Sequence, residues 1–422
     1  MHPSTRLRLS VMMFLQFCVW GSWYVTLSTY LSAIHFSGVA IGGIYSTVNW
    51  GAILAPVIVG MLADRFFPAQ IVMGVLHLLG AAILWWLSTI TAPTAFFWTL
   101  LLYSVCFMPT LGLANAVSFH QMADPARQFA GIRVLGSFGW IVVGGIVGYA
   151  APALLGHSIE NTNLPLRFGA LLSLVMGLYC LTLPGTPPGN AGKRPSVFQA
   201  LGLETLTYMK DRSFAIFTIG SLLICIPLSF YYSFANDFLN ETGMRNAAGK
   251  MTLGQMSEVL FLILIPFFFA RLGVKRMLLV GMVAWVARYA LFALGNNGTL
   301  VALLYAGIIL HGVCFDFFFV TGQIYVDQVV RRTQRAGAQG FIHVVTYGVG
   351  QLIGSWAAGA VVDHYAFARD ATTRHQWAAI WTVPAVMAGV VAMLFMLFFK
   401  DPPRLVAPTA AGQAGPRSGA TR

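Results

Sequence analysis

Several side chains that could bind a polar solute or exchange a proton stand inside apolar stretches of this sequence. Glu258 follows Gln255 by three residues within the apolar run 254–266, so the two side chains share one face of a helix. If that helix begins near Lys250, Glu258 lies about 12 Å inside an apolar layer about 30 Å thick. A carboxylate at that depth costs on the order of 3 kcal/mol and usually faces a cavity, a proton path or a partner charge. We therefore expect Glu258 to hydrogen-bond a polar solute, to carry a proton, or both.

Arg133, Ser137 and Trp140 form a second set, with the spacing i, i+4, i+7 that places all three on one helical face. A cation, a hydroxyl and an indole plane together suit a planar polar ligand. A base could stack on Trp140 while Arg133 donates hydrogen bonds to oxygen atoms. The structural alternative is that Arg133 pairs with an intramembrane carboxylate and Trp140 faces lipid.

Asp316 is a second acid near the middle of a later apolar run, and it competes with Glu258 for the proton-carrying role. Of the two, we favour Asp316 as the proton-coupling residue and Glu258 as a substrate ligand, although Glu258 could also couple protons. A structural pairing of Glu258 with Arg133 or Arg288 remains the alternative.

Two further polar sets lie within apolar runs. His311 stands one helical turn before Phe315 and could contact a ligand or relay protons. Ser229, Tyr232 and Asn236 share a face through the spacing i, i+3, i+7 and could add hydrogen bonds. For both sets, packing between helices is the alternative, because such polar groups often bond a neighbouring helix.

The composition identifies the elements that must position these residues. Of the 422 residues, 58% are hydrophobic and only 9% are charged, which is the composition of an integral membrane protein. The net charge of +12 comes from short basic clusters between apolar runs and gives no nucleic-acid-binding patch. Five cysteines without CxxC spacing indicate neither a disulfide framework nor a metal site. We expect no cofactor, and the lack of an HExxH or nucleophile motif argues against an enzyme.

Apolar spans of about 20 residues can be placed twelve times along the chain. We predict a six-helix bundle over 1–183, a cytoplasmic linker with an interfacial helix over 184–211, a second six-helix bundle over 212–400 and a disordered tail over 401–422. The predicted spans are 9–34, 40–62, 70–91, 95–119, 130–153, 165–183, 212–239, 250–270, 276–295, 299–327, 336–363 and 377–399.

The basic residues predict the orientation of these spans. Eighteen of the 25 Lys and Arg residues fall in the termini and in the connections on the same side, and five fall in the opposite connections. Because Lys and Arg accumulate in cytoplasmic loops, we expect a multi-pass protein of the bacterial inner membrane with both termini in the cytoplasm.

The two halves repeat each other at offsets of 206 to 208 residues. Six spans per half give repeats of the same orientation, which resembles the parallel repeat of the major facilitator superfamily, with its substrate site near mid-membrane. The segment 60–65, Gly-Met-Leu-Ala-Asp-Arg, resembles the loop motif of that superfamily. The charges expected to act as an inner gate, without touching substrate, are Asp64, Arg65, Arg271 and Lys275.

Stretches in both halves resemble the bacterial nucleoside/proton symporter family within that superfamily: 14–23, 108–113, 132–133, 201–203, 255–266 and 315–318. The resemblance implies proton-driven nucleoside uptake by alternating access through a pocket between the halves. The positions that match the family's pocket are Arg133, Ser137, Gln255, Glu258, Phe315 and Asp316. At the other pocket positions this chain departs from the family, with Trp140 for a phenylalanine, Ser229 and Tyr232 for a glutamine and an asparagine, and His311 for a tyrosine.

These departures leave the exact substrate open, because a pocket selects its ligand through specific buried hydrogen bonds. Nucleoside/proton symport is the favoured function. The alternatives are transport of another small polar solute such as a sugar, export, or nutrient sensing without transport. The expected partners are a nucleoside, protons and membrane lipids, with the protein acting as a monomer and binding no nucleic acid.

Overall fold

The chain folds almost entirely into helices that cross an apolar layer. The computed structural model describes residues 2–62, 66–124, 128–188, 197–369 and 372–400. Helices form because backbone polar groups in hydrocarbon must be paired within their own segment. Within the described residues, ten helices are long and apolar enough to cross a membrane. Together with the two helices that precede them along the chain, they are α1 (Pro3–Gly21), α2 (Leu27–Ala33), α3 (Gly38–Leu62), α4 (Ala69–Leu87), α5 (Pro93–His120), α6 (Ala130–Leu155), α7 (Leu164–Thr182), α8 (Arg212–Glu241), α9 (Ala247–Leu294), α10 (Val301–Val329), α11 (Arg332–His364) and α12 (Trp377–Phe398).

The first crossing and α9 differ from the predicted spans in detail. The first crossing consists of α1 and α2, which are separated by a turn over residues 22–26. The long helix α9 contains two crossings, because Gly273 adopts a left-handed φ of 67° and interrupts it, a conformation that glycine tolerates best. The predicted fold of twelve crossings is therefore confirmed.

The crossings form two bundles, α1 to α7 and α8 to α12, which meet along a central seam. Across the seam α3 contacts α11, α6 contacts α9, and α2 contacts α8. We call the end of the molecule that carries Pro3 and Phe398 the terminal end, and the opposite end the distal end. This is the major facilitator superfamily architecture that the sequence predicts.

In the part of the chain that the structure describes, three wide π-helical turns interrupt the crossings, at Ile146–Ala150, Asp316–Val320 and Val344–Gly350. Such turns are rare in proteins overall, and those that occur are often found at functional sites. Asp316, the predicted coupling acid, is the first residue of one of them.

The linker between the two bundles differs from expectation. The predicted interfacial helix is two short pieces, Val197–Ala200 and a 3-10 segment Leu203–Lys210, so the expectation of a single helix is wrong. Gly202 separates them with a φ of 65° and lies so close to the carbonyl of Gly337 that a Cβ atom would overlap it.

A β-hairpin that the sequence did not predict follows α11. Strand β1 (Ala366–Arg369) pairs antiparallel with β2 (Thr372–His375). The Nδ1 atom of His375 lies 2.6 Å from Oε2 of Glu241, which ties the hairpin to the end of α8. Burial lowers the pKa of His375, but the Glu241 carboxylate outweighs it and raises that pKa overall.

Candidate substrate chamber

The face of α6 that carries Arg133, Ser137 and Trp140 is turned toward the seam. The guanidinium of Arg133 lies 4.3 Å from the ring centroid of Phe17 on α1. The Trp140 ring packs edge-on against Trp20 at 5.6 Å and Tyr24 at 6.3 Å. Trp140 therefore belongs to an aromatic cluster inside the protein, and the alternative in which it faces lipid is wrong.

A cavity lies between the two halves, with an empty volume of about 540 Å³ that includes space open to solvent. Three predicted ligand residues line it: Trp140 from the first half, and Tyr232 and Gln255 from the second. The other lining residues are Gly21, Tyr24, Val25, Thr26, Gly144, Val147, Tyr231, Ala248, Met251 and Thr252.

Glu258 lies one helical turn from Gln255, toward the terminal end, with 19% of its side chain exposed. Its position is fixed by Ser257, whose hydroxyl donates to the carbonyl of Ile309 at 2.7 Å and accepts the N–H of Gly312 at 2.9 Å. Glu258 is also within electrostatic range of Arg133 in the opposite half. Glu258 and Arg133 therefore attract each other across the seam in this conformation, but they do not form a direct salt bridge.

The α10 residues of the predicted site surround Glu258 unequally. The Nε2 atom of His311 lies 3.7 Å from Oε2 of Glu258, longer than a hydrogen bond. Phe315 packs against His311 at 5.9 Å. Asp316 is 1% exposed, lies within electrostatic range of Glu258, and its Oδ2 atom has no hydrogen-bond partner among the described residues.

Two residues of the α8 set lie away from this cluster. The Ser229 hydroxyl is buried between α8 and α11, 3.1 Å from the carbonyls of both Cys225 and Gln351, and Ser229 does not line the cavity. The packing alternative therefore holds for Ser229, because a carbonyl of a neighbouring helix satisfies its donor. Asn236 bonds Glu160 at the distal end.

Of the predicted gate charges, Asp64 and Arg65 lie outside the described residues. Arg271 stacks on Phe267 at 3.6 Å and donates to the Phe267 carbonyl at 3.1 Å. Lys275 follows on the other side of the Gly273 interruption. The gate assignment for all four remains a prediction.

Two carboxylates, those of Glu160 and Asp363, join the two halves at the distal end of the seam. The sequence analysis identified neither of them. Oε2 of Glu160, in the α6–α7 connection, accepts hydrogen bonds from Asn236 (2.9 Å), Asn240 (3.0 Å) and the N–H of Ala248 (3.1 Å). Ala248 is at the amino-terminal end of α9, so a carboxylate of one half caps a helix of the other.

Asp363, on α11, makes the reciprocal contact. Its two carboxylate oxygens accept the backbone N–H groups of Gly38 (2.5 Å) and Val39 (2.8 Å), at the start of α3. Two side-chain hydrogen bonds add to the closure: Thr29 to Asn236 at 2.6 Å and Ser32 to Asp237 at 2.7 Å. The chamber is closed at its distal end in this conformation.

Aromatic residues of the chamber were also missed. Tyr24 lines the cavity, and Tyr347 lies within electrostatic range of Arg133 and Glu258. An aromatic residue in an apolar run has the same pattern as a core residue, so no local signal separates the two.

Comparison with known proteins places this geometry in a family. A sequence model of the family described as nucleoside H+ symporter matches residues 3–404. YegT of Escherichia coli is 41% identical over 403 residues, which cover 94% of this chain and 94% of YegT. The xanthosine permease of Escherichia coli is 35% identical over 421 residues, which cover 95% of this chain and 98% of the permease. The crystal structure of the nucleoside transporter NupG superposes with a TM-score of 0.84 at 33% identity, covering 94% of this chain and 100% of that chain.

Proposed function

The chain belongs to the nucleoside H+ symporter family, and from that membership we propose that it takes up nucleosides together with protons by alternating access. It is a secondary active transporter and not an enzyme. The observation that carries the proposal for this chamber is the cavity between the halves, which is lined by Trp140 of the first half and by Tyr232 and Gln255 of the second. An aromatic plane suits a base, and the polar groups suit ribose and base edges.

The proposed substrate residues follow from this arrangement. Trp140 stacks on the base, and Glu258 accepts hydrogen bonds from ribose hydroxyls one turn away. The remaining contacts are assigned to Arg133, Ser137, Tyr232, Gln255, His311 and Phe315. Ser229 is left out, because its hydroxyl is already satisfied by helix packing.

Asp316 is proposed as the residue that couples transport to the proton. Burial without a hydrogen-bond donor favours the uncharged form of a carboxyl group, and Oδ2 of Asp316 has no partner among the described residues. Glu258, by contrast, lies near the cation of Arg133 and the ring of His311. These surroundings suit a substrate ligand.

The membrane in which the protein lies, its orientation there and its oligomeric state are also proposals. The charge bias of the connections supports an inner-membrane protein with both termini in the cytoplasm, so that the distal end faces outward and is closed here. We propose that the protein functions as a monomer among membrane lipids.

A ligand panel on the purified protein tests the proposed substrate. Uridine, adenosine and xanthosine are compared with the free bases and with ribose by thermal shift and calorimetry. Nucleosides should raise the melting temperature, whereas bases or ribose alone should have little effect. Stabilisation by sugars alone would overturn the assignment. Absence of radiolabelled nucleoside flux in proteoliposomes would indicate a sensor.

Replacing Trp140 with alanine is expected to weaken nucleoside binding by about 1–3 kcal/mol, the usual contribution of one base–aromatic contact. Because the Phe side chain keeps an aromatic plane, Trp140→Phe should recover most of the affinity. The measurement is a calorimetric Kd, with Trp98→Ala as the control, since Trp98 is 60% exposed on the outer surface. Equal losses in the Trp140→Ala and Trp98→Ala proteins would contradict a stacking role.

Glu160 makes the closure of the distal end depend on pH. Burial raises the pKa of Glu160 above its usual 4.5, although the Asn240, Asn236 and Ala248 donors and the Lys250 charge act against this. If opening returns Glu160 to water and to its ordinary pKa, the closed state binds the proton more tightly. The contribution of Glu160 protonation to the closed state is then fully present below about pH 4.5, and it is lost as pH rises through the raised pKa.

Spin labels at exposed His157 and Asn297, one in each half, measure that closure as a distance distribution. Acidification should increase the closed fraction in the native protein. Glu160→Gln keeps an acceptor but cannot titrate, so it should hold the end closed without a response to pH. Glu160→Ala should shift the equilibrium toward opening by about 1–3 kcal/mol, because it removes the acceptor for three donors. An unchanged pH response in Glu160→Gln would assign the effect to another group.

A further inference from the structure

Arg288 is a buried cation of the second half that the proposed transport mechanism does not use. Its side chain is 0% exposed, and its guanidinium carbon lies 3.2 Å from the ring centroid of Tyr231. Among the described residues, no carboxylate lies within ion-pair distance of it, and its Nε and Nη2 atoms have no hydrogen-bond partner. A buried charge at this depth is costly, and residues that carry one usually have a functional role.

Arg288 contacts the side chain of His311 as well as that of Tyr231. Nη1 of Arg288 lies 3.2 Å from Nδ1 of His311. A guanidinium is always protonated and can only donate. The Nδ1 atom must therefore accept, and the proton of the neutral ring stands on Nε2.

The other ring nitrogen faces the proposed substrate site. Nε2 of His311 is the atom that lies 3.7 Å from Oε2 of Glu258, a gap that a small movement on ligand binding would close. Two contacts hold the ring in this orientation. His311 stacks on Tyr231 at 5.7 Å, and Gly254 allows the close approach, because a Cβ atom there would lie 3.1 Å from Cβ of His311.

We propose that Arg288 is a positioning residue for nucleoside binding: it fixes His311 in the Nε2–H tautomer, so that the ring directs an N–H donor at Glu258. The proposal rests on the proposed role of Glu258 as a substrate ligand. It also implies that His311 does not carry the transported proton, because a second proton on Nδ1 would meet the Arg288 donor.

The chain's departure from its family gives the proposal a specific test. The resemblance to the family implies a tyrosine at the position of His311. A tyrosine hydroxyl can donate to Glu258 whatever stands on its other side, whereas an imidazole can do so reliably only if its tautomer is fixed. Arg288 should therefore matter with histidine at this position and matter much less with tyrosine.

The tautomer can be measured without any transport assay. Nitrogen-15 NMR of protein labelled at histidine and reconstituted in lipid reports which ring nitrogen carries hydrogen, and the His311 signals are assigned by their loss in His311→Gln. We expect a neutral Nε2–H ring in the native protein and in Arg288→Lys, and a mixture of tautomers in Arg288→Met. A native His311 that is protonated on Nδ1, or on both nitrogens near neutral pH, would overturn the proposal.

Binding and transport provide the second readout, with uridine as the probe. Arg288→Met should weaken the Kd about tenfold, in keeping with one hydrogen bond to a charged group, while Arg288→Lys should stay within about threefold. In the His311→Tyr background, Arg288→Met should cost little further affinity. An equal loss in both backgrounds would show that Arg288 acts only by packing.

His311→Gln keeps this test decisive even if Arg288→Met fails to fold. Glutamine offers one acceptor and one donor, so uptake should fall by a few-fold, yet the ratio of gradient-driven accumulation to exchange should match that of the native protein. Loss of accumulation with exchange retained would make His311 a proton carrier and sink the proposal. If uridine does not bind the native protein at all, the proposed function fails, whereas the NMR result still decides the tautomer.

Discussion

Replacing Asp316 with asparagine is expected to abolish the accumulation of nucleoside driven by a pH gradient while nucleoside exchange across the membrane continues. Asparagine has nearly the same shape as aspartate but cannot take up a proton. Asp316 is 1% exposed and its Oδ2 atom lacks a described partner, so replacing that oxygen takes no acceptor away from a donor of the described residues. The substitution removes the titrating group and places an amide NH2 where the protonated acid carries an O–H.

Proteoliposomes provide the measurement. Accumulation under an imposed gradient should fall to the level seen without a gradient, whereas counterflow of labelled nucleoside should persist. Asp327→Asn is the matched control, because Asp327 is an exposed acid on the same helix that bonds Gln339 outside the chamber. Accumulation that survives in Asp316→Asn would remove Asp316 from the coupling role.

Replacing Glu258 with glutamine should have the second large effect, a loss of nucleoside affinity. Glutamine keeps the length of the side chain but loses the charge that strengthens hydrogen bonds from ribose hydroxyls. Such bonds contribute about 1.5–3 kcal/mol each, which corresponds to a Kd weakened on the order of 10- to 100-fold. The position of the side chain should be preserved, since Ser257 anchors the backbone through Ile309 and Gly312.

Calorimetry on the Glu258→Gln protein measures this loss, with Glu204→Gln as a control at an exposed position in the linker. The experiment also separates the two acids. If Glu258→Gln retains affinity but loses gradient-driven accumulation, the roles of Glu258 and Asp316 must be exchanged. Loss of binding at both positions would end the division of labour altogether.

The two distal carboxylates suggest how the halves share one gate. Glu160 follows α6 and caps α9, whereas Asp363 ends α11 and caps α3. Because the halves are repeats, these are equivalent places, and each half contributes one acceptor to a helix start of the other. Opening of the distal end must separate both pairs, so the cost of opening includes the loss of these hydrogen bonds.

The sequence by itself determined that the chain spans a membrane, how many times it crosses, and that its two halves repeat each other. Hydropathy is a property of each segment alone, and a repeat is visible as a constant offset, so neither depends on how helices pack. The same local reasoning places Gln255 and Glu258 on one face, because helical spacing fixes their relative direction.

Only the tertiary structure decided what those faces meet. Helical spacing gives no information on how a helix is rotated relative to its neighbours, and Ser229 shows the consequence, since its hydroxyl meets a carbonyl of α11 and not the cavity. The tautomer of His311 likewise depends on Arg288, which lies on a different helix. Distal closure by Glu160 and Asp363 joins residues from opposite halves, and such contacts arise only when the two bundles come together.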